Sequence, residues 1–140
     1  MVPINYWAVL VSAVAAMGLG YLWYGPLFGK QWISLMGWSR AEMEAKMKAG
    51  VGPQYLLQAI GALVMAYVLA HSIVFAGSFL QQSGVAAGLE AAMWSWLGFV
   101  VPVTLGTVLW DGKPWKLWFI NAGYFLVTLL VMGAILGYWA

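Results

Sequence analysis

Pro53–Ala76 reads PQYLLQAIGALVMAYVLAHSIVFA, and this stretch decides the fold. It holds no Asp, Glu, Lys or Arg, and its marked polar interruptions are Gln58 and His71. As a helix rising ~1.5 Å per residue it covers about 36 Å, enough to cross the ~30 Å hydrocarbon core of a bilayer. Apolar and polar residues do not alternate along it, as they would in a barrel strand. Lipid offers no partner to a bare N–H or C=O, so a segment of this kind must span as a helix.

Three further runs have the same character. Ile4–Tyr24 carries no charge, Val85–Trp110 carries only Glu90, and Trp115–Trp139 has Lys116 at its mouth. Helices are therefore expected over about 4–24, 53–76, 85–110 and 115–139. The whole chain is 64 % hydrophobic and 7 % charged, a balance foreign to soluble domains. The expected fold class is all-α: a polytopic membrane protein, one integral membrane domain over 1–140, built as a four-helix bundle. The start of the chain lacks a basic n-region and a small-residue cleavage site, so the first helix is expected to stay in the mature protein.

Charge sets the expected topology. Lys30, Arg40, Lys46 and Lys48 lie between the first two runs, and Lys113 and Lys116 between the last two. The stretch Gly77–Gly84 has no basic residue. The positive-inside bias then places both basic loops in the cytoplasm and both termini outside, N-out/C-out. Tyr and Trp residues cluster at both expected boundaries, as interfacial belts do. The small net charge of +2 is a topology signal and gives no reason to expect a nucleic-acid partner. The expected partner is the bilayer, with anionic lipid near the basic loops.

Between the first two spans, residues 27–49 are expected to form a short cytoplasmic interfacial amphipathic segment. Gly25-Pro26 should break the first helix, with Pro26 opening a short helix through Met36. Gly37 interrupts, and Ser39-Arg40-Ala41-Glu42 reads as a capping box. Glu42–Lys46 and Glu44–Lys48 are spaced as i,i+4 pairs, with Met43 and Met47 on the opposite face. This patch is first a solvated helix; its sharper reading is a docking face for a partner protein through Met43 and Met47.

Small residues recur four apart in every run: Ser12, Ala16 and Gly20; Ala62, Ala66 and Ala70; Gly98, Pro102 and Gly106; Gly133 and Gly137. Such stripes allow close helix approach, either in a compact bundle or in a homo-oligomer interface. Leu19–Gly25 also echoes Leu105–Gly112, a hint of two related hairpins.

Three stretches together resemble a known family. They are Asn5-Tyr6-Trp7, the run Leu22–Lys30 (LWYGPLFGK) with Trp32, and the closing Gly133–Trp139 (GAILGYW). Across nearly its whole length the chain resembles domain of unknown function family 1761. The resemblance implies a small four-helix bacterial membrane protein, hence a multi-pass protein of the inner (cytoplasmic) membrane. It brings no activity and no site residues.

Ionisable and amide groups inside a membrane are costly and mark candidate sites. Asn5, His71 and Glu90 fall at the outer level, where a His71–Glu90 pair would relay protons or hold a cation. Gln58, Thr107 and Asn121 fall at the inner level, as the floor of a solute path or as interhelical glue. No Cys, second His or paired acid supports catalysis, and no cofactor or metal site is expected. Two functions fit: an oligomeric transporter or channel for a small solute or ion, or a non-catalytic accessory protein that binds a partner protein or lipid.

Overall fold

In a computed structural model, which describes residues 1–140, the chain is helical with no β-strand. Helix α1 (Tyr6–Leu22) runs into a π turn at Trp23–Leu27, then α2 (Gly29–Met36), α3 (Arg40–Ala49) and α4 (Gly52–Leu80). Next come α5 (Gly84–Ser95), a second π turn at Trp96–Val100, the single turns α6 (Val101–Thr104) and α7 (Gly106–Leu109), and α8 (Trp115–Tyr138). Four spans are long and apolar enough to cross a membrane: Tyr6–Leu27, Gly52–Leu80, Gly84–Leu109 and Trp115–Tyr138. They match the four runs read from the sequence, with ends displaced by a few residues. Large apolar side chains cover the outside, including Leu57, Val64, Phe99 and Phe119. That surface suits acyl chains.

Local signals explain the ends. The Asn5 side chain accepts from the amides of Trp7 and Ala8 at the start of α1, and its Nδ2 donates to the Trp139 carbonyl at 3.3 Å. This one residue caps a helix and ties the two termini together. Gly37 closes α2 at φ 73°, and the Ser39–Glu42 capping box opens α3 with both of its bonds formed. Two details of this segment differ from expectation. Pro26 does not begin a new helix; it sits inside the first π turn, where Phe28 N–H donates to the Trp23 carbonyl at 2.8 Å. A proline cannot donate to the carbonyl four residues back, and the wider turn absorbs that gap. The Glu–Lys pairs also do not form. Arg40 reaches Glu44 at 3.5 Å, while Lys46 lies over the Trp38 ring at 4.5 Å.

Small residues dominate the α1 and α4 faces of the core, which meet larger ones such as Leu129, Met132 and Leu136 of α8. Ala8, Ser12, Ala13 and Ala16 of α1, and Ala62, Ala66 and Ala70 of α4, are all buried. Helix α8 is the most buried span and packs against α1, α4 and α5. Its tightest partner is α5, antiparallel to it. A Cβ added to Gly88 would overlap the Gly133 carbonyl, one on Gly133 would overlap the Gly88 carbonyl, and one on Gly137 would overlap the Gly84 carbonyl. Backbone therefore meets backbone, which brings Cα–H groups to carbonyls and maximises dispersion contact. Gly133 and Gly137, expected at a helix interface, are used in this contact within the chain.

The third span does not use the stripe expected of it. Nothing lies within 4 Å of a Cβ at Gly98, and Pro102 is exposed. The contact runs instead through Gly84, Gly88 and Ala92, whose Cβ lies 3.1 Å from the position of a Gly133 Cβ. The span is also broken, contrary to an unbroken helix over 85–110. Val101 N–H donates to the Trp96 carbonyl across the second π turn, Pro102 comes next, and the helix breaks again at Leu105. The expected Leu19/Leu105 echo gives way to a different recurrence: Trp23-Tyr24-Gly25 and Trp96-Leu97-Gly98 each open a π turn with a proline close behind.

Both basic loops lie at one end of the bundle, joined by Lys113 Nζ donating to the Met36 carbonyl at 3.2 Å. The α4–α5 turn, with Gln81 at φ 57° and Gly84 at φ 73°, closes the other end.

Replacing Gly88 or Gly133 by Leu should destabilise the protein by at least about 1–3 kcal/mol through overpacking. Gly98→Leu, which meets open space, should stay within about 0.5 kcal/mol of wild type. Thermal melting in detergent, monitored by tryptophan fluorescence, checks both.

Candidate functional site

Polar groups within the spans gather at two levels, and the two differ in kind. At the basic end all but Gln58 are satisfied. Tyr24 OH donates to Asn121 Oδ1 at 2.7 Å, and Tyr124 OH donates to the Ala16 carbonyl at 3.1 Å. The Tyr24 ring packs edge-on to Tyr124 and Trp32, with centroids 5.2 and 5.4 Å away. The indoles that open the two π turns point at the same helix: Trp23 Nε1 donates to the Ile120 carbonyl at 2.9 Å and Trp96 Nε1 to the Ala122 carbonyl at 2.8 Å. Trp118 Nε1 donates to Thr104 Oγ1 at 3.0 Å, and Thr107 Oγ1 to the Thr104 carbonyl at 2.8 Å. A π turn rotates the downstream residues around the helix axis. Here each one is pinned to α8 by its first side chain.

Gln58 is exposed and makes no hydrogen bond, so it does not meet Asn121. Asn121 joins two spans through its bond from Tyr24, whereas Thr107 bonds back to its own span. Between the levels, the hydroxyls of Ser12 and Thr128 are buried without partners. They lie one turn from Ala16 and Tyr124 on the α1 and α8 faces that meet.

The level near the α4–α5 turn is open. His71 and Glu90 do not pair. His71 donates from Nδ1 to the Tyr67 carbonyl at 2.9 Å, and its ring packs on Tyr67 at 4.4 Å and Phe75 at 6.0 Å. Tyr67 in turn stacks on Tyr6. His71 therefore belongs to the aromatic face toward α1. Its neighbour Ser72, roughly 100° around the helix, faces α5. Glu90 lines a cleft of about 200 Å³ between α4 and α5, together with Ser72, Gln82, Trp94, Ser95 and Phe99. The Glu90 carboxylate has no hydrogen bond and no ion pair, since the chain's ion pair is Arg40–Glu44. Ser72 Oγ donates to the Val68 carbonyl at 3.1 Å, and Ser95 Oγ to the Ala91 carbonyl at 2.7 Å. Each hydroxyl then keeps its lone pairs for the cleft.

Of the expected site residues, the cleft contains Glu90. Asn5 is a helix cap, His71 faces elsewhere, and Met43 and Met47 lie on α3, which has no buried residue. Sequence reading missed Trp94 as the neighbour of Glu90, although their i,i+4 spacing puts both on one face of α5. It also missed Tyr124, whose hydroxyl donates to the Ala16 carbonyl. No three His, Asp or Glu side chains converge in the chain.

Trp23→Phe and Trp96→Phe keep a ring but lose the indole bond to α8, and each should cost ~0.6–2 kcal/mol. Trp94→Phe should be neutral, because the Trp94 indole makes no hydrogen bond. Melting temperatures of the three variants in one detergent separate these outcomes.

No curated protein and no solved structure matches the chain. The model of the family described as "Protein of unknown function (DUF1761)" matches residues 7–137, nearly the whole length. The chain belongs to that family.

Proposed function

We propose that this protein is a small-solute transporter of the bacterial inner membrane, and that it takes its solute sideways from the lipid phase into the cleft between α4 and α5. The observation that carries this reading is Glu90. A carboxylate six residues into a membrane-length span, about 9 Å along the axis, is costly to keep there without a function. It faces a cleft and has no partner in the chain. Rings and apolar side chains flank the mouth: Trp94 is 66 % exposed and Phe99 75 %.

The route differs from a central pore. The middle of the bundle is filled by Ala8, Ala66, Ala92 and Met132, all at 0 % exposure. One copy therefore encloses no channel, and a conduction path would need further copies. The orientation that goes with this reading has the basic loops in the cytoplasm and the α4–α5 turn outside. Glu90 then meets solute arriving from the outer leaflet. The reading is non-enzymatic.

An accessory role keeps one specific support. Helix α3 is wholly without buried residues, and Met47 is 79 % exposed. If α3 holds a partner protein, that partner should co-purify with wild type and be lost from Met43→Glu/Met47→Glu. Purification of the protein alone from membranes would count against this role.

The cleft itself is tested with the neutral fluorophore N-phenyl-1-naphthylamine. Wild type in dodecyl maltoside should bind it saturably, above the micelle background. Ala76→Trp, which fills the cleft wall on α4, should weaken binding at least about tenfold with melting temperature preserved. Equal binding by a folded Ala76→Trp would sink the cleft as a solute site.

A further inference from the structure

Resting on that reading of the cleft, we infer that its ligand is an amphiphile with an ammonium head, held by Glu90 and the neighbouring aromatic faces. The charge balance points to the cation. All six basic side chains sit in the two loops at the far end of the bundle. His71 is turned toward Tyr67 and Phe75, and the N-terminal amine makes no ion pair. Nothing in the chain neutralises Glu90. A positively charged ligand supplies what the fold leaves out, and in a low-dielectric setting the attraction is large.

The rest of the lining agrees on sign. Ser72 and Ser95 have committed their hydroxyl protons to their own helices, so they offer acceptors. The donors that remain, the Trp94 indole and the Gln82 amide, are neutral and give an anion no counter-charge. Trp94 and Phe99 line the cleft, and aromatic rings attract cations and recognise alkylammonium groups in particular.

Size and access complete the class. About 200 Å³ is less than the ~300 Å³ at which pockets for whole drug-sized ligands begin. It accommodates a head group and the first methylenes. The tail then leaves past Leu80 and Phe99, which are 47 % and 75 % exposed, into the acyl chains. Two sources share this chemistry: a single-chain ammonium amphiphile dissolved in the membrane, and the head of an ammonium phospholipid.

The test uses the full-length protein in dodecyl maltoside, loaded with N-phenyl-1-naphthylamine. Dodecyltrimethylammonium should displace the fluorophore from wild type at least about tenfold more effectively than from Glu90→Gln, for the loss of a ~1.4 kcal/mol charge interaction. Its uncharged isostere 2,2-dimethyltetradecane should act equally on both. Trp94→Leu, which leaves the carboxylate in place, should weaken displacement about twofold to fivefold. Phosphatidylethanolamine added to the micelles separates the sources. Displacement that depends on Glu90 assigns the site to bilayer lipid, and displacement by the single-chain compound alone assigns it to a free amphiphile. Equal displacement of wild type and Glu90→Gln by dodecyltrimethylammonium overturns the ammonium class, even where Ala76→Trp shows that the cleft binds. If Glu90→Gln does not fold, an unchanged displacement in Trp94→Leu overturns it instead.

Discussion

Backbone contact between α5 and α8 is the constraint on which the rest of the structure depends. In lipid the solvent is as apolar as the side chains, so burying a Leu gains little, and helices associate through dispersion and hydrogen bonds. Those forces need atoms at contact distance. Gly88 against Gly133, and Gly84 against Gly137, leave no side chain at these crossings of the two backbones and let carbonyls meet Cα atoms, with the Ala92 methyl beside them. With α5 seated on α8, the alanine stripes of α1 and α4 can close around α8 from its other sides.

The same contact explains why the cleft exists. It uses the turns of α5 nearest the α4–α5 loop and faces α8, which leaves the edge of α5 bearing Glu90 and Trp94 beside α4. Beyond Ser95 the span is released. No residue from Trp96 to Leu109 is buried, and the helix breaks twice within that stretch. Held only by its first half, this span still needs an anchor for its second. The Trp96 indole on the Ala122 carbonyl, and Trp118 on Thr104, provide it. The first span is anchored in the same manner through Trp23. Two spans thus contain π turns whose leading tryptophans bond to carbonyls two residues apart on α8.

Charge divides the molecule along the same axis. The basic residues and the satisfied tyrosine–asparagine contact occupy one end. The unpaired acid lies toward the other, in a cleft lined by hydroxyl acceptors and aromatic rings. At the first end Tyr24 and Asn121 hold two helices together; at the second Glu90 has no partner within the chain.

The four spans, the break at Gly37, the Ser39 capping box and the clustering of the basic loops were legible because they depend on local rules: hydropathy over a helix length, turn chemistry and the count of crossings. The residue at risk, Glu90, was legible for the same reason, since a charge in an apolar run stands out. Its surroundings were not. Whether Glu90 meets His71 or Ser72 depends on a single helical step of α4, and hydropathy that is uniform around a helix carries no rotational phase. The glycines posed the same problem: each span offered several small residues, and dispersion selects only the set whose spacing matches its neighbour's. The sequence by itself determined which segments leave water and which end carries the cations, because solvent transfer acts on each segment alone. Tertiary structure decided which face of each helix turns inward, where the π turns fall and what surrounds the unpaired carboxylate, because those depend on atoms from two helices fitting at contact distance.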